Sequence, residues 1–189
     1  MRALAVVIVM LSAVSGCGGE ATFRGKNVTG WREQLREGDV DGRRQAALAL
    51  WEMGPSASAA VADLVACLKD TDVDVRLSAA GALGAIGPKA ADAAPALSDV
   101  LRDENAGVRD TAAAALGKMQ AADPEAIAAL AKALKDKEPA VRIRAAYALG
   151  ELGVEAADAE PALLEALEDP DGQFHGAVVD ALSKVVPEE

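Results

Sequence analysis

The sequence predicts an all-α protein, a right-handed α-solenoid of about five helical hairpins, and three observations predict it. The 189-residue chain is 51% hydrophobic but only 3% aromatic, a bias toward small and aliphatic helix formers that suits closely packed helices. A landmark recurs every 33 residues without slipping, at Arg43, Arg76, Arg109, Arg142 and His175. Around each landmark the apolar residues fall on two stripes with helical spacing.

The chain opens on a segment that is not part of this pattern. Met1-Arg2 precedes the apolar run Ala3 to Leu11, and Ser12-Ala13-Val14-Ser15-Gly16 leads to Cys17. A basic start and a short apolar run make a signal-peptide core, too short for a permanent membrane span. Val14-Ser15-Gly16-Cys17 resembles the bacterial lipobox. That resemblance implies removal of residues 1–16, a thioether diacylglycerol on Cys17 and acylation of its new amine. Several acyl chains, at about 0.8 kcal/mol per buried methylene, anchor a protein stably. Residues 17–28 are then expected to be the lipidated cysteine and a short tether, with the repeat domain spanning 29–189. The expected location is the bacterial cell envelope: exported, lipid-anchored to the cell membrane or outer membrane, facing the periplasm or the exterior.

In each repeat the first helix comes before the landmark. Trp31, Leu64, Leu97, Leu130 and Leu163 lie twelve residues ahead of it, and Leu35, Leu68, Leu101, Leu134 and Leu167 lie eight ahead. A spacing of four puts each pair on one helix face. Pro95 and Pro161 fall in the opening turn, where a missing N–H costs little. The second helix carries the landmark and a stripe three, seven and ten residues later, for example Ala79, Leu83 and Ile86. Gly54-Pro55 and Gly87-Pro88 predict a left-handed helix stop between units. Two departures stand out: Gln120 replaces the junction glycine of the third unit, and the last unit carries His175 and Val178-Val179, as a terminal cap would. Neither helix can bury its stripe alone, so the units must stack.

An acidic residue precedes each landmark by six: Glu37, Asp70, Asp103, Asp136 and Asp169. In the inter-helix turn such a carboxylate accepts N–H groups and pairs with arginine. The unit Leu-Lys-Asp-x-Asp-x-x-Val-Arg-x-x-Ala-Ala-x-Ala-Leu-Gly-x-Ile-Gly is nearly whole around residues 68–87 and 134–153. It resembles HEAT repeats, in particular the short bacterial subtype shared with phycobilisome lyases, over about 85% of the chain. The resemblance implies an Asp–Arg ladder that ties successive turns together, with Asp103 and Arg109 in one ladder unit.

Little in the sequence speaks for chemistry. The one histidine, His175, sits at a repeat landmark, and the two cysteines, Cys17 and Cys67, offer no zinc set. Asp70-Thr71-Asp72-Val73-Asp74 lacks the glycine and glutamate of a calcium loop. No enzyme activity and no cofactor are expected. The net charge of −11 becomes −12 if Arg2 is removed, from 18 basic and 30 acidic residues, and repels nucleic acid. Contact with a membrane is expected through the lipid alone, and the chain is expected to be a monomer. By helical phase, residues one, five and eight after the landmark face away from the core. The resemblance to HEAT repeats implies that the second helices line the concave surface, so these positions suggest a partner-binding groove there with a glycine and alanine floor, carrying Arg44, Trp51, Leu77, Asp110, Ile143 and Tyr147. The leading expectation is a scaffold for a protein or peptide. The alternative is a lyase-like or assembly factor that handles a small ligand with a partner subunit.

Overall fold

The computed structural model describes residues 21–186. Cys17 and the expected signal segment lie outside them. Five hairpins follow one another among the described residues. They are α1 (Val28–Glu37) with α2 (Val40–Met53), α3 (Val61–Cys67) with α4 (Val73–Ile86), α5 (Ala94–Val100) with α6 (Ala106–Lys118), α7 (Pro124–Ala133) with α8 (Pro139–Leu152), and α9 (Glu160–Ala166) with α10 (Gly172–Val185). No helix here is long and apolar enough to cross a membrane. The end of the expected tether is structured instead. Thr22–Phe23 (β1) and Lys26–Asn27 (β2) pair antiparallel, so the chain is not wholly free of strand. Arg24 and Gly25 turn the hairpin at positive φ. Trp31 Nε1 donates to the Phe23 carbonyl at 3.2 Å, and Lys26 lies over the Trp31 ring. The hairpin thereby closes the first end of the stack over an otherwise open apolar face.

Both predicted stripes form the core. Leu50, Leu64, Leu83, Leu97, Leu116, Leu130, Leu149 and Leu163 are fully buried, together with the alanine pairs of the first four units. Each second helix lies against the next one along its length, while the shorter first helices touch less.

The junction glycines do not adopt the left-handed helical stop. Gly54, Gly87 and Gly153 combine φ of 51°, 73° and 61° with ψ of −129°, −145° and −138°, a region open essentially to glycine alone. That conformation sends the chain into 3-10 segments, Gly54–Ala60, Gly87–Ala93 and Gly153–Ala159, which lead into α3, α5 and α9. Gln120 cannot follow this route. It takes a φ of 52° and ends α6 in a Schellman arrangement, with Gln120 N donating to Gly117 O and Ala121 N to Leu116 O. Asp123 then caps α7 directly, and no 3-10 segment intervenes.

Candidate partner-binding face and the arginine ladder

The ladder is built between units rather than within them. Arg43, Arg76 and Arg109 each donate two bonds to the aspartate of the following unit, Asp70, Asp103 and Asp136, with Nε–Oδ2 distances of 2.7, 2.8 and 2.7 Å. Nη1 of Arg76 and of Arg109 also donates to the main-chain carbonyl of the aspartate six residues earlier. Asp70, Asp103, Asp136 and Asp169 in turn accept the N–H two residues on, at 2.9 Å each. One arginine therefore fixes its own turn and the next unit's turn together. Arg109 meets Asp103 through its main-chain carbonyl and not its carboxylate, contrary to the expected grouping. Glu37 stands outside the ladder for a plain reason: the position 27 residues before it is Met10, so no arginine is in register.

The ladder weakens toward its end. Arg142 Nε stands 3.5 Å from Asp169 and has no hydrogen-bond partner. The residue before each landmark explains this. It is valine at 75, 108 and 141 but phenylalanine at 174, whose buried ring lies 5.3 Å beneath the Arg142 guanidinium. The ring takes over part of the cation's contact. His175, exposed, places Nδ1 3.2 Å from the carbonyl of Leu167.

Charge follows the same geometry. Burial pushes the Asp103 and Asp136 carboxyls up, but hydrogen bonds from Arg76 and Arg109 and from main-chain N–H groups outweigh it, and both end below the ordinary carboxylate value. Asp70 is lowered chiefly by its bond from Arg43. Asp72 is brought down to about 2, first by the bond from Arg44.

On the second-helix face the six residues expected to bind a partner have different fates. Tyr147 is 43% exposed and Leu48, beside it in phase, 42%. Leu77 and Ile143 are half-buried against the core edge. Arg44 and Asp110 are tied into ion pairs between units, Arg44 with Asp72 and Asp110 with Arg144 at 3.2 Å. Trp51 is half-buried and lies flat over Gly81, where a Cβ would come within 2.7 Å of its ring. The glycines are not an open floor. A Cβ on Gly84, Gly117 or Gly150 would sit 2.9, 3.0 or 3.2 Å from the Cα of Ala115, Ala148 or Ala181 on the next second helix. They are the crossing points that let these helices approach, so most of the groove's glycine floor is interior. What stays open is a hollow of about 210 Å³ lined by Trp51, Gly81, Gly84, Asp110, Ala114 and Arg144, among others, with Lys118 at its edge.

One ion-pair cluster was missed in the sequence. Buried Asp63 accepts from Arg32 Nε and Arg36 Nε, both at 2.6 Å, and clamps α1 to α3. The signal for it was an acid where the other units have Gly30, Ala96, Ala129 and Ala162. Cys67 is buried and its thiol is pushed up to about 11, mainly by burial, so at neutral pH it is a protonated core residue. Among the described residues no group of three His, Cys, Asp or Glu side chains stands close enough to hold a metal ion.

Comparison with known proteins places the chain. No curated protein matches it. An engineered protein of known structure is similar at 27% identity and a TM-score of 0.67, over 84% of this chain and 78% of the other. The CpcE–CpcF complex of phycocyanin lyase from Nostoc sp. PCC7120 is similar at 28% identity and a TM-score of 0.70, over 92% and 68%. A designed armadillo repeat protein in complex with the peptide (KR)4 shares the fold at 18% identity and a TM-score of 0.71, over 84% and 81%. The model of the HEAT repeats matches residues 28–117, 62–149 and 94–183. With the ladder, the paired helices and these matches covering most of its length, the chain belongs to the HEAT-repeat family.

Proposed function

We propose that this protein is a scaffold that binds a protein or peptide on its second-helix face and works at a membrane through a lipid on Cys17. The observation that carries the reading is the exposed apolar character of that face. Leu48 and Tyr147 stand free, Leu77 and Ile143 lie half-open beside them, and a hollow adjoins Trp51. Broad aromatic surface beside aliphatic side chains is the composition that anchors peptides and helices. The described residues hold no cluster suited to metal chemistry, and the thiol of Cys67 is buried.

The test is capture of a partner from detergent-solubilised envelope, with a melting curve for each variant. A stoichiometric protein partner that Tyr147→Ala no longer retains, at unchanged melting temperature, supports the reading. A Tyr147→Ala variant that captures like wild type moves the partner to another face. The similarity to the phycocyanin lyase complex supports a second reading, an assembly factor acting on a small ligand with a partner subunit. A coloured or small-molecule adduct in the same capture would favour it. The lipid is tested separately: palmitate-analogue labelling is expected on wild type and lost in Cys17→Ser, and an unlabelled wild type removes the anchor.

A further inference from the structure

Resting on that reading, the geometry points to the chemistry of the partner: the hollow beside Trp51 takes an acidic side chain of an extended peptide, next to an apolar residue that packs on the indole. The hollow draws on four consecutive second helices. Trp51 of α2, stacked on Gly81 of α4, forms one wall with Gly84 beside it, and Asp110, Ala114 and Lys118 of α6 and Arg144 of α8 close the far side. At about 210 Å³ it is smaller than the roughly 300–1,000 Å³ of typical small-molecule sites, so it suits one or two side chains.

Its polar groups are mostly donors without acceptors. Trp51 Nε1 and Lys118 Nζ make no hydrogen bond or ion pair with any described residue. Arg144 uses Nε on Asp110 and has its two Nη groups left over. Asp110, the one carboxylate lining the hollow, is already engaged by that bond. Of the residues that line the hollow two are cationic and one anionic, a local excess of positive charge within a chain of net charge −11, with Glu151 Oε2 against Gly117 beyond the lining. A carboxylate satisfies the free ammonium and guanidinium groups, while a basic side chain would face both cations and find Asp110 already engaged by Arg144. Charge matching of this kind sets partner choice and register more than total affinity. The apolar part of the segment then lies across the Trp51 ring and Ala114.

The experiment is selection of a random peptide display library on the folded domain, followed by titration of a labelled enriched peptide against variants. Enriched peptides are expected to pair Asp or Glu with an apolar neighbour. Lys118→Glu is expected to weaken binding about tenfold or more, roughly 1.4 kcal/mol, with unchanged melting, and Arg144→Glu to weaken it likewise while melting lower, because it also loses the bond to Asp110. A peptide with its acid changed to lysine is expected to bind Lys118→Glu better than wild type, which guards against a variant that merely misfolds. If enriched peptides are basic or neutral, or ignore both reversals yet still lose affinity with Tyr147→Ala, the face stands and this inference falls. If no peptide is enriched, or none depends on Tyr147, Lys118 or Arg144, both fall.

Discussion

Gln120 shows how one side chain redirects a repeat. Its positive φ of 52° costs a non-glycine residue about 1–2 kcal/mol. The Schellman bonds from Gln120 N and Ala121 N hold it there. Its side chain is exposed, so replacing it removes no packing. Gln120→Gly should relieve the strain, partly offset by the greater freedom of glycine in the unfolded chain. The net expectation is a gain of about 0.5–1 kcal/mol, read as a higher urea midpoint at unchanged slope. A midpoint at or below wild type would show that the turn carries no strain at this position. Gly117 is the opposite case. A methyl there would stand 3.0 Å from Ala148 Cα, and main chain cannot step aside as a flexible side chain does. Gly117→Ala should cost about 1–3 kcal/mol, as overpacking does, and an unchanged midpoint would mean that α6 and α8 can separate freely.

At the scale of the elements, the ladder decides how hairpins are joined. Arg76 is buried and paired to Asp103 through two bonds, at 2.8 and 3.0 Å. A double-mutant cycle on Arg76→Ala and Asp103→Ala should give a coupling of about 0.5–3 kcal/mol. The same cycle on Asp103 and Arg109 should be closer to additive, because Arg109 holds the main-chain carbonyl of Asp103, which alanine keeps. Equal couplings in the two cycles would mean that the ladder runs within units after all. Arg142 with Asp169, at 3.5 Å, should show the weakest coupling of the ladder. Which aspartate each arginine meets was not legible in the sequence, and the reason is arithmetic. A strict period of 33 makes a carboxylate six residues before one arginine also one 27 residues after the previous one. Only the reach of the side chain across the stacked turn separates the two. The small residues of the second helices were ambiguous in the same way. Helical phase puts Gly84, Gly117 and Gly150 on the side away from their own hairpin, but it cannot tell open solvent from the neighbouring helix. Trp51 and Tyr147, also placed by phase, meet different surroundings, because α4 offers Gly81 under the indole while the tyrosine stays exposed.

For the whole molecule, the stack itself was legible because every unit repeats both stripes in register. The closing hairpin at Thr22–Asn27 and the clamp of Asp63 on α1 were not, because each occurs once and a period cannot report a single event. The inter-unit carboxylates have a joint consequence for stability. Asp63, Asp70, Asp72, Asp103 and Asp136 are all held below the ordinary carboxylate value in the folded chain, Asp72 at about 2. In the unfolded chain each returns to about 3.9. Between those values the unfolded chain binds more protons than the folded one, so stability falls as pH falls. The contribution is fully present above about pH 4 and is lost as pH drops through the folded values toward 2. Protonation also leaves the 19 lysines and arginines without counter-charge, which adds repulsion in acid. The pairs sit at the first four units' junctions, so acid weakens every one of those joints together rather than fraying one end. Thermal melts followed by far-ultraviolet circular dichroism from pH 7 to pH 2 should therefore hold steady down to about pH 4 and then fall steeply. In the Arg76→Ala variant, which removes one partner, the melting temperature at pH 7 should be lower and the acid drop shallower. A melting temperature that stays level to pH 2 in wild type would show that these carboxylates do not favour the folded stack.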